Sequence, residues 1–279
     1  MICNRNDRKV SLYHTEAIDL AERHDYTVFF ATGHATQLVI FVHGYGGNAI
    51  TTWKSFFTLL RNDPSFFDKD VIYYGYKSKE YQAADHAGDF YDFLNDHALS
   101  SASSSYFIMA LDERSFEKRK YEKVTIVAHS LGAIVTREAL KTAYDNKRDW
   151  LPTTQMMLFA PAHLGANILP LVFYTLDIFN LTRLIGSYFK YKTPVLNDLE
   201  KGSDILKKIM SETKELLQNQ NGSFTKAKCV VHAKGDRVVE NLKFNEDRDA
   251  KRIEGKSHSK VCKPTLDYEE PIEFLKAIV

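Results

Sequence analysis

Short runs of β-branched and aromatic residues alternate along this chain with longer stretches in which apolar residues recur every three or four positions. That alternation marks β-α-β units: a mostly parallel sheet with helices on both faces. The runs predict strands over Tyr26–Phe30, Gln37–Val42, Val71–Tyr76, Lys123–Ala128, Gln155–Phe159 and Lys228–Ala233. In the later runs, as in Val124-Thr125-Ile126-Val127, apolar residues are continuous rather than alternating, so both faces of those strands are expected to be buried. The first two strands read as a hairpin turning near Gly33. Helical spacing falls on Ile50–Leu60, Ala87–Leu94, Leu131–Tyr144 and Asp204–Leu217.

Two stretches interrupt the rhythm. Ser100–Ser105 is nearly all serine and reads as a loop or frayed helix end, with a regulatory phosphosite as the alternative. Ala166–Phe224 is longer than an ordinary connection and opens on Ile168-Leu169-Pro170-Leu171-Val172-Phe173-Tyr174, so we read an inserted cap over residues 166–224. Neither a repeat nor a linker divides the chain, which predicts a single domain over residues 1–279.

Composition narrows the function classes. With 37 Lys+Arg against 36 Asp+Glu the net charge is +1, which argues against a nucleic-acid partner. The three cysteines form no CxxC pair, which argues against a disulfide framework or a thiolate zinc site and makes a reducing, cytoplasmic setting the default. Met1-Ile2-Cys3 gives way at once to Asn4-Arg5-Asn6-Asp7, so no signal peptide is expected. The longest apolar stretch, Ile168 to Leu181, carries Asp177 and Asn180 and falls short of the ~18 residues that span a bilayer; membrane contact is expected only at the surface, through the cap.

The chemistry concentrates in two turns. Ala128-His129-Ser130-Leu131-Gly132 follows a buried strand and opens a helix, where a nucleophile elbow belongs: the sharp turn needs small residues two before and two after the serine. By itself such a pentapeptide is weak, and its place between strand and helix gives it weight. Val42-His43-Gly44-Tyr45-Gly46-Gly47 carries another strand into a glycine-rich turn, whose Tyr45 N–H, with that of Leu131, would form a two-donor oxyanion hole. His43 is read as a brace for that loop rather than as a base.

These segments, together with Phe159-Ala160-Pro161-Ala162-His163-Leu164-Gly165, resemble the α/β-hydrolase superfamily, in the branch of lipase-like serine esterases that includes GPI inositol-deacylase-like proteins. Asp198-Leu199-Glu200-Lys201-Gly202-Ser203-Asp204-Ile205-Leu206 resembles a stretch that follows the cap in those enzymes, and the likeness runs from about Gln37 to the C-terminus. The resemblance implies an α/β-hydrolase fold, no cofactor or metal, and a triad in the order Ser, acid, His. Ser130 is then the nucleophile, Asp236 after the strand ending at Ala233 is the acid, and His258 before the last helix is the base. Ala128 replaces the commoner glycine, which the sterics tolerate. Rival histidines are His232 and His163; rival acids are Asp247 and Asp249, in a charged run that reads more simply as a solvated face.

Other readings compete. Gly44-x-Gly46-x-x-Ala49 imitates a dinucleotide fingerprint but lacks an acidic residue at the end of the next strand, and Ala250 to Ser257 imitates a phosphate loop without its first glycine. The same fold could serve as a silent binding module, or pass an acyl group to another alcohol or thiol. The expected reaction is hydrolysis of a small-molecule or lipid ester through an acyl-enzyme, with Leu171 and Phe173 of the cap lining an acyl site. Lys256, Lys260 and Lys263, near His258, could attract an anionic head group or simply be solvated.

Overall fold

The computed structural model describes residues 12–14, 24–31, 35–99, 121–174, 194–219, 222–248 and 250–279. Ser100–Ser105, Asp249 and the side chain of Phe173 lie outside what is described. Strands β1 (Leu12–His14), β2 (His24–Ala31), β3 (Gln37–Val42), β4 (Lys69–Tyr76), β5 (Lys123–His129), β6 (Thr154–Phe159), β7 (Ala227–Ala233) and β8 (Lys251–Ile253) form one sheet in the order β1-β2-β4-β3-β5-β6-β7-β8. All neighbours from β4 to β8 are parallel; the β1–β2 and β2–β4 pairs are antiparallel. The helices are α1 (Lys54–Asn62), α2 (Ala83–Asp92), α3 (Leu131–Asp145), α4 (Ile168–Tyr174), α5 (Pro194–Leu199), α6 (Asp204–Gln218) and α7 (Glu270–Lys276).

The expected hairpin between the first two strands is corrected: β2 pairs with β4, Phe29 opposite Val71 and His24 opposite Tyr76. Both edges of β3 are occupied, by β4 and β5, so β2 can only add outside β4. Sequence adjacency argued for the hairpin, and burial of both β3 edges overrode it.

Aromatic contacts show why helices cover both faces. Phe41 and its register partner Tyr73 stack with ring centroids 4.8 Å apart, and Phe56 of α1 packs on Phe41 at 5.1 Å. Tyr74, one residue along and therefore on the other face, packs against Phe90 of α2 at 4.8 Å. Neither face meets water, which explains the unbroken apolar runs. On the second face α6 packs beside α3, with Leu206, Ile209 and Leu216 buried and Lys208 Nζ 3.0 Å from Glu138 Oε2.

Strand order fixes where a ligand can sit. The chain crosses from β3 to β4 on one side and returns to β5 on the other, so the C-terminal ends of β3 and β5 flank a topological switch point. The Gly44–Gly47 turn and Ser130 both fall there. No described helix is long and apolar enough to cross a membrane.

Candidate active site

Ser130 stands between β5 and α3 with φ 52°, a left-handed conformation that a non-glycine residue adopts only under constraint. Its N–H donates to Phe159 O at 3.0 Å, and its carbonyl accepts from Ala162 N at 3.2 Å, so β6 and the following turn hold the kink. The small neighbours are sterically required: a Cβ on Gly132 would come within 2.5 Å of the His43 carbonyl oxygen, and one on Gly44 within 2.8 Å of Ser130 Cβ. Leu131, the first residue of α3, has no acceptor within its own helix for its N–H, so a donor stands beside Ser130 Oγ.

His258 lies in the loop before the last helix and is buried. Its Nε2 is 3.0 Å from Ser130 Oγ and its Nδ1 is 2.9 Å from Asp236 Oδ2. With the Nδ1 proton directed at the carboxylate, Nε2 is left to accept from the serine hydroxyl. Asp236 sits in the turn after β7, where its Oδ1 accepts from Val238 N at 2.8 Å and Val239 N at 3.2 Å. Burial pushes this carboxyl up, but the His258 hydrogen bond and charge and the two backbone donors outweigh it and hold it below the usual carboxylate value. Ser130, His258 and Asp236, predicted together from sequence, are thus one hydrogen-bonded line.

The rival acid Asp247 lies elsewhere. Asp247 is not on a solvated face: it is buried, its Oδ2 2.5 Å from Arg137 Nη2 and its Oδ1 accepting from Ala227 N at 2.8 Å. Arg137 also donates to Thr225 O at 2.6 Å and lies 4.4 Å over the Phe244 ring. The pair therefore clamps α3 to the start of β7, the opposite end of the strand whose exit carries Asp236. Spacing cannot tell a buried ion pair from solvated charge when its partner is more than a hundred residues away in the chain.

His43 braces the glycine turn as expected. Its Nδ1–H donates to Gly44 O at 2.8 Å, its Nε2 accepts from Tyr76 N at 3.1 Å, and its ring stacks on Tyr76 at 4.3 Å. Further supports went unread in the sequence. Ser78 Oγ accepts from Gly46 N at 2.9 Å, Thr52 Oγ1 accepts from Asn48 N at 3.1 Å, and Asp198 Oδ2 accepts from Ala83 N at 2.7 Å, capping α2. Ser78 and Asp198 reach their donors from 32 and 115 residues away, a separation that local spacing cannot announce.

An open cleft lies over Ser130 and His258 and is lined by the Gly44–Gly47 turn, Thr51, Thr52, His129, Leu171, Ser259 and Lys263. Leu171 is buried in this wall. Of the lysines singled out, Lys263 reaches the cleft, Lys256 lies 3.9 Å over the Tyr268 ring and Lys260 is exposed.

Burial leaves a cluster of histidines neutral. Desolvation pushes His43 and His232 down to about 4 and His129 to about 3, and drives His163 well below its usual value. Neither ring nitrogen of His163 or His232 has a hydrogen-bond partner among the described residues. In the unfolded chain these rings take up protons near pH 6.5. The unfolded state therefore binds more protons than the folded one between about pH 6.5 and 4, and stability should fall with pH across that window by up to ~1.4 kcal/mol per pH unit per histidine. Urea midpoints measured at pH 8, 6 and 5 should drop steeply only below pH 6.5; a flat series would show that these rings do not control acid stability.

Comparison with known proteins bears on the family and the fold. The model of the family described as "Putative serine esterase (DUF676)" matches residues 32–239. Among solved structures, the mature lipase BlEst2 of Bacillus licheniformis aligns with TM-score 0.54 at 14% identity, over 90% of this chain and 97% of that one. The peroxisomal alpha-beta-hydrolase Lpx1 of Saccharomyces cerevisiae aligns with TM-score 0.52 at 11% identity, over 94% and 84%. The 2-hydroxy-6-oxo-6-phenylhexa-2,4-dienoate hydrolase of Rhodococcus aligns with TM-score 0.50 at 14% identity, over 97% and 100%. At such identities these likenesses show the fold, which is that of the α/β-hydrolases. Among curated proteins a sequence comparison finds no match.

Proposed function

Because the chain belongs to the serine esterase family DUF676, whose model spans residues 32–239, we propose that this hydrolase cleaves carboxylic esters through an acyl-enzyme on Ser130. The observation that carries the reading is the line from Asp236 Oδ2 through His258 to Ser130 Oγ, at 2.9 and 3.0 Å, at the switch point of the sheet. A serine hydroxyl is a poor nucleophile at neutral pH. His258 therefore takes its proton as Oγ attacks the carbonyl carbon and returns it to the departing alcohol; water then repeats the cycle to release the acid. Asp236 fixes the ring tautomer and stabilises the imidazolium. The N–H groups of Tyr45 and Leu131 hold the negative oxygen of the tetrahedral intermediate. Treatment with a fluorophosphonate should place the adduct on Ser130, read by peptide mass spectrometry; an unmodified Ser130 in folded protein would reject the mechanism.

For the substrate class, Leu171 in the cleft wall supports an acyl ester. We read the cap as centred on α4, because α6 belongs to the layer beside α3. Leu171 is assigned to an acyl chain. Each methylene moved from apolar surroundings into water costs ~0.8 kcal/mol, so Leu171→Ser should raise KM for long-chain esters by about tenfold while leaving acetate esters near wild type. Equal losses on both ester classes, measured by steady-state kinetics, would return Leu171 to the core and move the acyl site elsewhere.

A further inference from the structure

The loop that carries His258 is irregular, and one side chain ties it directly to the nucleophile turn. His129, immediately before Ser130, is buried, and its Nε2 lies 3.0 Å from the backbone oxygen of His258. The centroids of the two imidazole rings lie 4.9 Å apart, and the Trp53 ring stands at 89° to that of His129 with centroids 6.5 Å apart. A carbonyl can only accept, so Nε2 carries the ring proton and donates it.

We propose that His129 is a positioning residue: its Nε2–H anchors the His258 backbone and so sets the reach of the His258 ring to Ser130 Oγ. The role rests on the mechanism above, since it supposes that the Ser130 to His258 distance limits turnover. The titratable and charged groups that face His129 are His258, Asp236 and Lys263. Burial and the neighbouring His258 keep His129 neutral, pushed down to about 3, outweighing the opposing influence of Asp236. A neutral ring suits the task twice over: it remains a single directed donor across the working pH range, and it adds no positive charge beside the imidazolium that forms on His258 in each turnover. The elbow pentapeptide thus contributes both the nucleophile and the tether of its base, from adjacent residues.

The test compares His129→Phe, His129→Gln and His129→Asn in the full chain. Phenylalanine keeps the ring and loses the donor. Glutamine places an amide N–H near the Nε2 position, whereas asparagine ends short of it. His129→Phe should slow fluorophosphonate labelling of Ser130 and lower kcat by about 10- to 100-fold with KM for a small ester unchanged, because a misplaced reacting group costs rate rather than binding. His129→Gln should recover to within about fivefold of wild type, with the wild-type pH profile, and His129→Asn should not. Wild-type labelling in His129→Phe, or losses in Gln and Asn that are equal and track melting temperature, would overturn the role. An unlabelled Ser130 in the wild type itself would remove the nucleophile, and the tether with it.

Discussion

Replacing Ser130 by Ala should lower kcat for ester hydrolysis by about 10⁴ to 10⁶, with the fold intact. The side chain supplies one atom to the chemistry and little to the packing, and the strain at φ 52° burdens alanine as it burdens serine. The hydrogen bonds that hold the kink run through the backbone, from Ser130 N to Phe159 O and from Ala162 N to the Ser130 carbonyl, and survive the change. Residual rate over water would come from the N–H donors and from binding. Turnover and calorimetry on the same preparation decide the matter: a variant that melts like wild type and still turns over within tenfold of it would move the nucleophile away from Ser130.

Asp236→Asn should cost about 10³ to 10⁴ in kcat, for a reason visible in the turn that holds it. The carboxylate accepts on both oxygens, from Val238 and Val239 N–H on one and from His258 Nδ1–H on the other. An asparagine has a single acceptor oxygen, so one of those donors must face an NH₂ group. If the backbone N–H groups keep the oxygen, His258 meets a donor, its proton shifts to Nε2, and the nitrogen that should accept from Ser130 no longer can. Asp247→Asn should behave in the opposite way, destabilising by about 3 to 5 kcal/mol through the unpaired Arg137 while each folded molecule keeps its turnover. Loss of turnover in Asp247→Asn with wild-type rates in Asp236→Asn would exchange the two assignments.

The contrast between these aspartates shows what the sequence could express. Ser130, Asp236 and His258 were legible because each follows a recognisable punctuation of the fold: a buried strand ending in a small-residue turn, a strand exit at Lys234-Gly235, a histidine before the final helix. The central strands were legible for a related reason, since burial on both faces writes itself as continuous apolar runs. Asp247 was misread because its meaning lies in Arg137, on a helix far upstream. The β2 pairing was misread because only the occupied edges of β3 exclude the local hairpin. Strand β8, Lys251–Ile253, went unseen because its three residues sit in a charged run and its pairing with β7, not its own pattern, makes it a strand. His129 hid in plain view, at a position the elbow pattern leaves unspecified, since its contact is with a backbone atom that has no sequence signature.

The kink at Ser130 is held by residues synthesised after it, Phe159 and Ala162, and its proton acceptor comes later still, at His258. On the ribosome, therefore, the serine emerges long before anything can pin its backbone or draw off its proton. Throughout that interval it is as inert as any surface serine. On the proposed mechanism the serine becomes reactive only once the segment around His258 has folded back onto it, so a nascent chain that stops short of that segment is expected to show no esterase activity.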